Sequence, residues 1–103
     1  MKPALDEVQA IAGWLCEAFP EAKHGPALHA EVRKQIRAAR GYGLKLQTEL
    51  SAYVAVAWLM GPRFDKEFPV ARGVLENALM PPALKANFLA QWCARVFSAI
   101  TEE

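Results

Sequence analysis

The sequence predicts an all-α fold, a single compact bundle of about five helices with no sheet. Apolar residues recur at three- and four-residue spacing along almost the whole chain, which is typical of amphipathic helices. No segment shows the two-residue alternation of a half-buried strand. Prolines and glycines stand between the periodic segments, where helices end. The 103 residues fit one helical domain, 1–103, with one modest core.

The first two helices are predicted from apolar stripes and from the residues that flank them. In the first helix the stripe consists of Leu5, Val8, Ala12, Leu15 and Phe19. Pro3 suits its first turn, and Pro20 ends it. The second helix opens at Gly25-Pro26, and its apolar face consists of Leu28, Val32, Ile36 and Ala39. We expect Gly41 to end it as a left-handed cap.

The third helix follows a connector over residues 41–47, with Thr48 as its predicted N-cap. It carries apolar residues nearly all round, namely Leu50, Tyr53, Val54, Ala57, Trp58 and Met60. We therefore expect it to be the central helix of the bundle. It ends at Gly61-Pro62, and residues 63–68 are predicted to form a loop in which Asp65 binds backbone N–H groups.

The last two helices are separated by Met80-Pro81-Pro82. A fourth helix is predicted to begin at Pro69, with apolar residues Val70, Val74, Leu75, Ala78 and Leu79. A fifth is predicted from about Pro82 to Ile100, with a stripe of Leu84, Phe88, Leu89, Trp92, Val96, Phe97 and Ile100.

Composition and charge exclude several classes of protein. A net charge of +1 and 53% hydrophobic residues are not those of a disordered chain or a polyelectrolyte. The longest uncharged stretch, 50–62, is too short to span a bilayer. Asp6 and Glu7 stand where a signal peptide needs apolar residues, so we expect a cytoplasmic protein. Cys16 and Cys93 are predicted to be small buried apolar residues, although a disulfide between two helices stays possible.

The residue patterns predict no enzyme. Ser51 and Ser98 lie in apolar segments without a G-x-S-x-G motif. His24 and His29 are five residues apart and point in different directions on a helix, which makes them poor joint ligands. The chain has no CxxC pair and no phosphate-binding glycine loop. We expect no catalytic residue, no cofactor and no metal.

Basic residues are concentrated on the second helix. Arg33, Arg37 and Arg40 follow one another at spacings of four and three, which places them on one face. Such a stripe can contact phosphates or an acidic protein surface, or it can be the solvated side of an amphipathic helix. The near-neutral total charge and the lack of a helix-turn-helix signature disfavour a nucleic-acid partner.

The aromatic residues are numerous for a chain of this size, with three Trp, five Phe and two Tyr. Trp58 and Trp92 fall on core stripes and are predicted to pack inside. Trp14 lies beside the stripe of the first helix and widens its apolar face. Either the aromatic side chains fill the core, or part of this apolar area is left for a partner.

Several motifs resemble those of a known family. They are Ile36-Arg37-Ala38-Ala39-Arg40-Gly41-Tyr42-Gly43-Leu44, Thr48-Glu49-Leu50, Gly61-Pro62-Arg63-Phe64-Asp65 and Leu79-Met80-Pro81, with Tyr53, Leu75, Lys85 and Leu89. The pattern resembles the helical C-terminal region of effector-adaptor chaperones of the bacterial type VI secretion system, and small stand-alone proteins of the same pattern. The resemblance covers two thirds to three quarters of the chain. The α/β region that precedes the helices in these adaptors has no counterpart in this sequence.

The resemblance implies a non-enzymatic protein-binding module, an adaptor or chaperone-like accessory of type VI effector loading. Its partner would be an effector toxin or a component of the secretion spike. The predicted partner-binding residues are Trp14, Arg33, Arg37, Arg40 and Tyr42. Three alternatives stay open: an immunity protein that neutralises a toxin, a small nucleic-acid-binding protein that uses the basic stripe, and a helical homodimer.

The motif residues also have structural explanations. Gly41 and Gly43 can supply a positive φ. Tyr42 can lay its ring on a helix end and form a hydrogen bond through its hydroxyl. We expect Phe64 to anchor the loop after the third helix to the core, with Asp65 holding that loop's backbone.

Overall fold

The computed structural model describes residues 4–23 and 25–101, and these form six α-helices with no strand. The helices are α1 (Ala4–Ala18), α2 (Pro26–Gly41), α3 (Gln47–Met60), α4 (Phe64–Glu67), α5 (Pro69–Leu75) and α6 (Pro82–Thr101). The predicted all-α class is confirmed. None of the helices in the described part of the chain is long and apolar enough to cross a membrane.

Helix α3 lies at the centre of the bundle, as its apolar sequence predicts. It packs against α1, α2, α4 and α6, and α6 is its most extensive neighbour. The largest fully buried side chains of the described residues are Tyr53, Phe64, Ile11, Leu15, Leu44, Leu50, Leu75, Leu89, Val8 and Val32. Tyr53 and Leu50 of α3 are among them because α3 has neighbours on most of its sides.

Helices α1 and α3 run in the same direction, and α2 runs opposite to both. Glu7 near the start of α1 pairs with Arg40 at the end of α2. Leu15 in the second half of α1 shares a small cavity of about 260 Å³ with Leu28 at the start of α2 and Ala57 in the second half of α3. Along the described chain, no Cα atom of α1 comes within 8 Å of one in α6, although both helices pack on α3.

The end of α2 differs from the prediction. Gly41 is the last helical residue, and the left-handed position falls on Gly43, whose φ is 96°. The N–H of Gly43 donates to the carbonyl of Arg40 at 3.0 Å, and the N–H of Leu44 donates to that of Ala39 at 3.1 Å. These bonds form a Schellman motif, in which the residue after the glycine frequently makes an apolar contact with the helix. Leu44, the residue after Gly43, is fully buried in the core.

The N-cap prediction for α3 is also wrong. The helix begins at Gln47, so Thr48 is already its second residue. The Glu49 carboxylate instead reaches back and accepts the N–H groups of Lys45 and Leu46, at 2.9 and 3.0 Å. This is the acidic half of a capping box, and it explains why the Glu49 side chain is buried.

The segment between α3 and α6 differs from the prediction in two places. The predicted loop over 63–68 contains α4, whose Phe64 is fully buried. Helix α5 ends at Leu75 rather than Leu79. Beyond it the Asn77 side chain accepts the N–H of Leu79 at 2.9 Å, which forms a turn and leaves the Leu79 side chain 94% exposed.

Some sequence predictions concern residues or side chains that lie outside the described part of the chain. Pro3 and His24 are among them, as are the side chains of Leu5, Asp6, Phe97 and Ile100.

Candidate protein-binding groove

A groove of about 680 Å³ runs along α3, with α1 on one side and α6 on the other. Its floor is a face of α3, to which one residue or a neighbouring pair contributes at each turn. The lining residues are Trp14, Phe19, Gln47, Thr48, Ser51, Ala52, Ala55, Val56, Leu59, Ala90, Cys93 and Ala94. The groove exists because α1 and α6 both rest on α3 without approaching each other.

The groove is long and has a floor of small residues. Its α3 residues run from Gln47 to Leu59, a length of about 18 Å at 1.5 Å per residue. Ala52 and Ala55 on α3 and Ala90 on α6 have no side chain beyond Cβ to fill the space between the helices. The space between α1 and α6 above α3 therefore stays open, because these alanine side chains are too short to fill it.

The two ends of the groove differ in polarity. Gln47, Thr48 and Ser51 line the end near the start of α3, and none of the lining residues that the structure describes is charged. Leu59 lies at the other end, which α1 reaches with Trp14 because the two helices run in the same direction. Trp14 is 40% exposed and Leu59 37% exposed, so the apolar end presents large side chains to solvent.

Exposed charged residues stand close in sequence to residues that line the groove. Lys45 precedes α3 at the polar end, and its side chain is exposed. Glu17 lies on the last turn of α1 and Glu21 shortly after it, beside Trp14 and Phe19, and both carboxylates are exposed. Lys23 and Arg63 are also exposed and close in sequence to that end, so residues of both charges flank the groove lining.

The other two tryptophans have different surroundings. Trp58 is 38% exposed and borders the smaller cavity beside Leu28 and Pro62, so the prediction that it packs inside is wrong. Its position on α3 faces the gap between α1 and α2 rather than the core centre. Trp92 is partly buried and packs edge-on against Phe68, with ring centroids 5.4 Å apart, which agrees with the prediction.

The structure places the basic stripe apart from the groove. Arg33, Arg37 and Arg40 are exposed on α2, which contributes no residue to the groove lining. The Arg40 Nη2 atom lies 2.6 Å from Glu7 Oε1 of α1. One of the three arginines of the stripe is therefore already paired with a carboxylate. Of the predicted partner-binding residues, Trp14 therefore lines the groove, whereas the three arginines lie on α2.

Tyr42 belongs to a third region, a polar cluster inside the fold. Its hydroxyl donates to Asp65 Oδ2 at 2.7 Å, and its ring lies 6.2 Å from that of Tyr53. The buried Lys85 ammonium donates to the backbone carbonyls of Tyr42 at 2.9 Å and Leu75 at 2.8 Å. Asp65 thus accepts a side-chain hydroxyl, instead of the backbone groups predicted for it.

The electrostatics of this cluster keep its tyrosines neutral. Burial, the hydrogen bond to Asp65 and that carboxylate's charge raise the pKa of Tyr42 above its usual value. Burial, followed by the charge of Asp65, raises the pKa of Tyr53. The Tyr53 hydroxyl is buried and makes no hydrogen bond that satisfies the usual distance and angle limits. The neutral Tyr42 phenol joins the end of α2 to α4 through its hydrogen bond to Asp65.

The described thiols lie apart from any cluster of metal-ligating side chains. Cys93 is buried beneath the groove, where burial raises the pKa of its thiol, and both cysteines are free. Within residues 4–23 and 25–101, no group of three or more His, Cys, Asp or Glu side chains is placed to hold a metal ion.

Sequence reasoning missed the groove and found the cluster only in part. The groove had a signal in the small residues of α3 at four-residue spacing, Ser51 and Ala55, with Ala52 beside them. The apolar residues on the other faces of α3 predict instead a helix that is buried nearly all round. The buried Lys85 had no signal, because a lysine on the first turn of a helix is usually exposed.

No family model matches this chain, and no curated protein or solved structure matches it. The resemblance to type VI adaptor chaperones stays a prediction from the motifs. In the structure several of those motif residues meet in one place, with Tyr42 bonded to Asp65 and to Lys85.

Proposed function

We propose that this chain is a non-enzymatic protein-binding module, an adaptor or chaperone-like accessory in the loading of type VI secretion effectors. The observation that carries the proposal is the open groove between α1, α3 and α6, whose described lining residues carry no charge. Apolar area of this kind on a small protein is the usual mark of an interaction site.

The polar groups of the described residues support a binding role over a catalytic one. The buried side chains Gln35, Glu49, Asp65 and Lys85 each make hydrogen bonds within the fold. They tie helix ends and turns together, and none of them lines the groove. A partner would meet apolar and small side chains there rather than a set of converging titratable groups.

The resemblance supplies the class of partner. In an adaptor role, the groove would cover an apolar segment of an effector or of a spike-associated domain until that segment is handed on. The shielded segment would otherwise be exposed to water, which disfavours it by about 25 cal/mol for each Å² of apolar area.

Co-expression tests this function. The chain is produced together with the proteins encoded by the genes adjacent to its own, and complexes are isolated by affinity purification and size-exclusion chromatography. We expect a stable complex with an effector or a spike component. A chain that stays a monomer and binds none of these proteins overturns the proposal.

The alternatives give different results in the same experiment. An immunity protein would bind the toxic domain and protect cells that express it, whereas an adaptor would bind outside that domain. A nucleic-acid-binding protein would retain DNA or RNA, with an affinity that falls steeply with salt and on replacing Arg33 and Arg37 by glutamate. A homodimer would show a mass that depends on concentration.

A further inference from the structure

We propose that the smaller cavity, beside Leu28 and Trp58, binds a primary ammonium group carried on an apolar group, with about ten non-hydrogen atoms in all. The Glu31 carboxylate would pair with the ammonium, and the apolar part would lie against the aliphatic lining and Trp58. The cavity shares no described lining residue with the groove. The inference therefore goes beyond the proposed function and does not depend on it.

The cavity lies between the faces of two neighbouring helices. On α2 the lining residues recur at three- and four-residue spacing from Leu28 to Gln35, and on α3 they do so from Val54 to Trp58. Apart from Glu31, Gln35 and Trp58, the described lining residues are aliphatic. The apolar part of a ligand would therefore exchange water for an apolar surface, which is favourable.

The volume of the cavity limits the size of the ligand. It is about 260 Å³. An apolar cavity of about 150 Å³ in another protein binds benzene, and in the same proportion this one takes about ten non-hydrogen atoms. Glu31 is only partly buried and Trp58 is 38% exposed, so a ligand of that size can enter from solvent.

A buried amide holds one carboxylate at the cavity. Gln35 is buried, and its Nε2 atom donates to Glu31 Oε2 at 2.6 Å. The same nitrogen donates to the backbone carbonyl of Pro62 at 3.4 Å. Gln35 thus joins the carboxylate to the segment that follows α3, and a ligand would meet an acceptor that is already positioned.

The charge of Glu31 defines the chemistry of the ligand. Glu31 is the one charged residue among the described lining residues, and no described lysine or arginine forms an ion pair with it. A carboxylate beside apolar surface is partly dehydrated, and a ligand ammonium would offset that cost through a charge-assisted hydrogen bond. The indole of Trp58 adds an aromatic surface, which attracts cations. An anionic ligand would be repelled, and a neutral one would form a weaker hydrogen bond.

The test is a titration of the isotopically labelled chain with phenethylamine, followed through the backbone amide resonances in two-dimensional NMR spectra. Phenethyl alcohol has nearly the same size and shape without the charge, so it is the matched neutral probe. The peptide phenylalanyl-glycyl-glycine presents the same ring and an ammonium at the start of a polypeptide. It distinguishes the N-terminus of a partner protein from a free amine as the source of the ligand.

Two substitutions remove the proposed contacts. Glu31→Gln keeps the size of the side chain and an acceptor for Gln35, but it removes the charge. Glu17→Gln, at an exposed position of α1, is its matched control. Trp58→Ala removes the aromatic surface, with Trp14→Ala in the groove as its control. Circular dichroism and urea unfolding establish that each variant is folded.

We expect phenethylamine to shift the resonances of cavity residues such as Leu28 and Ala57. It should bind about tenfold more tightly than phenethyl alcohol. Glu31→Gln should remove that preference by weakening the amine alone, and Trp58→Ala should weaken the amine by about threefold. The two control variants should bind like the unchanged chain.

The peptide assigns the source of the ammonium. If phenylalanyl-glycyl-glycine binds more tightly than phenethylamine, the natural ligand is the N-terminus of a protein partner. If it binds more weakly, the natural ligand is a free amine. Both results are consistent with the same ammonium site.

Four results overturn the inference. They are a spectrum that neither small probe changes, an affinity for phenethylamine no higher than for phenethyl alcohol, a preference that persists in Glu31→Gln, and shifts confined to groove residues such as Ala55 and Ala90. The proposed function can fail separately. A chain that binds phenethylamine through Glu31 but none of the adjacent gene products keeps this site and loses the adaptor role.

Discussion

The ammonium nitrogen of Lys85 lies 2.9 Å from the backbone carbonyl oxygen of Tyr42, although 43 positions separate the two residues in the chain. The same nitrogen donates to the carbonyl of Leu75 at 2.8 Å. Tyr42 caps the end of α2, and Leu75 is the last residue of α5. A cation at two helix C-termini is favourable because the helix dipole leaves partial negative charge there. One side chain of α6 therefore joins the ends of two other helices.

Replacing Lys85 with methionine should destabilise the fold by about 2–4 kcal/mol. The variant keeps most of the buried aliphatic stem but removes two charge-assisted hydrogen bonds, and both carbonyls lose this donor. Urea unfolding followed by circular dichroism measures the change. Lys34→Met on the exposed side of α2 is the control, and it should change stability by less than about 0.5 kcal/mol. Equal effects of the two substitutions would contradict a structural role for Lys85.

The two buried tyrosines should respond differently to the loss of their hydroxyls. Tyr42→Phe removes the donor to Asp65 and leaves that buried carboxylate with one partner fewer, which should cost about 1.5–3 kcal/mol. The Tyr53 hydroxyl lies near Asp65 but makes no hydrogen bond within the usual distance and angle limits to a described residue, so Tyr53→Phe should cost less than Tyr42→Phe. The urea midpoints of the two variants give the comparison. A larger cost for Tyr53→Phe would show that its hydroxyl, and not that of Tyr42, is the principal donor to Asp65.

Stability should fall at alkaline pH. The fold raises the pKa of Tyr42 and Tyr53, mainly through burial and secondly through Asp65, so the folded chain keeps protons that an unfolded tyrosine loses near pH 10. Unfolding then releases protons, and the free energy of unfolding decreases above about pH 10, by about 1.4 kcal/mol per pH unit for each tyrosine. Urea midpoints measured between pH 8 and 11 test this. In the Tyr42→Phe, Tyr53→Phe double variant, the slope should be much shallower; an unchanged slope would exclude the tyrosines as its source.

The two glycines at the end of α2 form a matched pair. Gly43 has a φ of 96°, where a side chain is strained, so Gly43→Ala should cost about 1–2 kcal/mol. Gly41 is helical, and Gly41→Ala should stabilise the fold by about 0.5–1 kcal/mol. Apart from the adjacent backbone, a Cβ atom would meet nothing within 4 Å at either position, so the expected difference comes from backbone conformation. Thermal unfolding of the two variants measures it, and a reversed order would place the left-handed residue at Gly41.

The sequence predicts contacts between residues that are close along the chain better than contacts between distant ones. The sequence predicts the hydroxyl hydrogen bond of Tyr42 and the burial of Phe64. Both depend on local position, since Tyr42 lies at a helix end and Phe64 follows a Gly-Pro break. The partner of Tyr42 was not predicted, since Asp65 is 23 positions away and belongs to another helix. For the same reason the bonds of Lys85 had no sequence signal.

The sequence by itself determined that the chain is helical, where most helices begin, and that α3 is central. These properties follow from local preferences and from apolar spacing, which act over a few residues. Only the tertiary structure decided which surface stays open. Whether the small face of α3 at Ala55 is covered depends on how closely α1 and α6 approach, and that distance is set by the packing of the whole core.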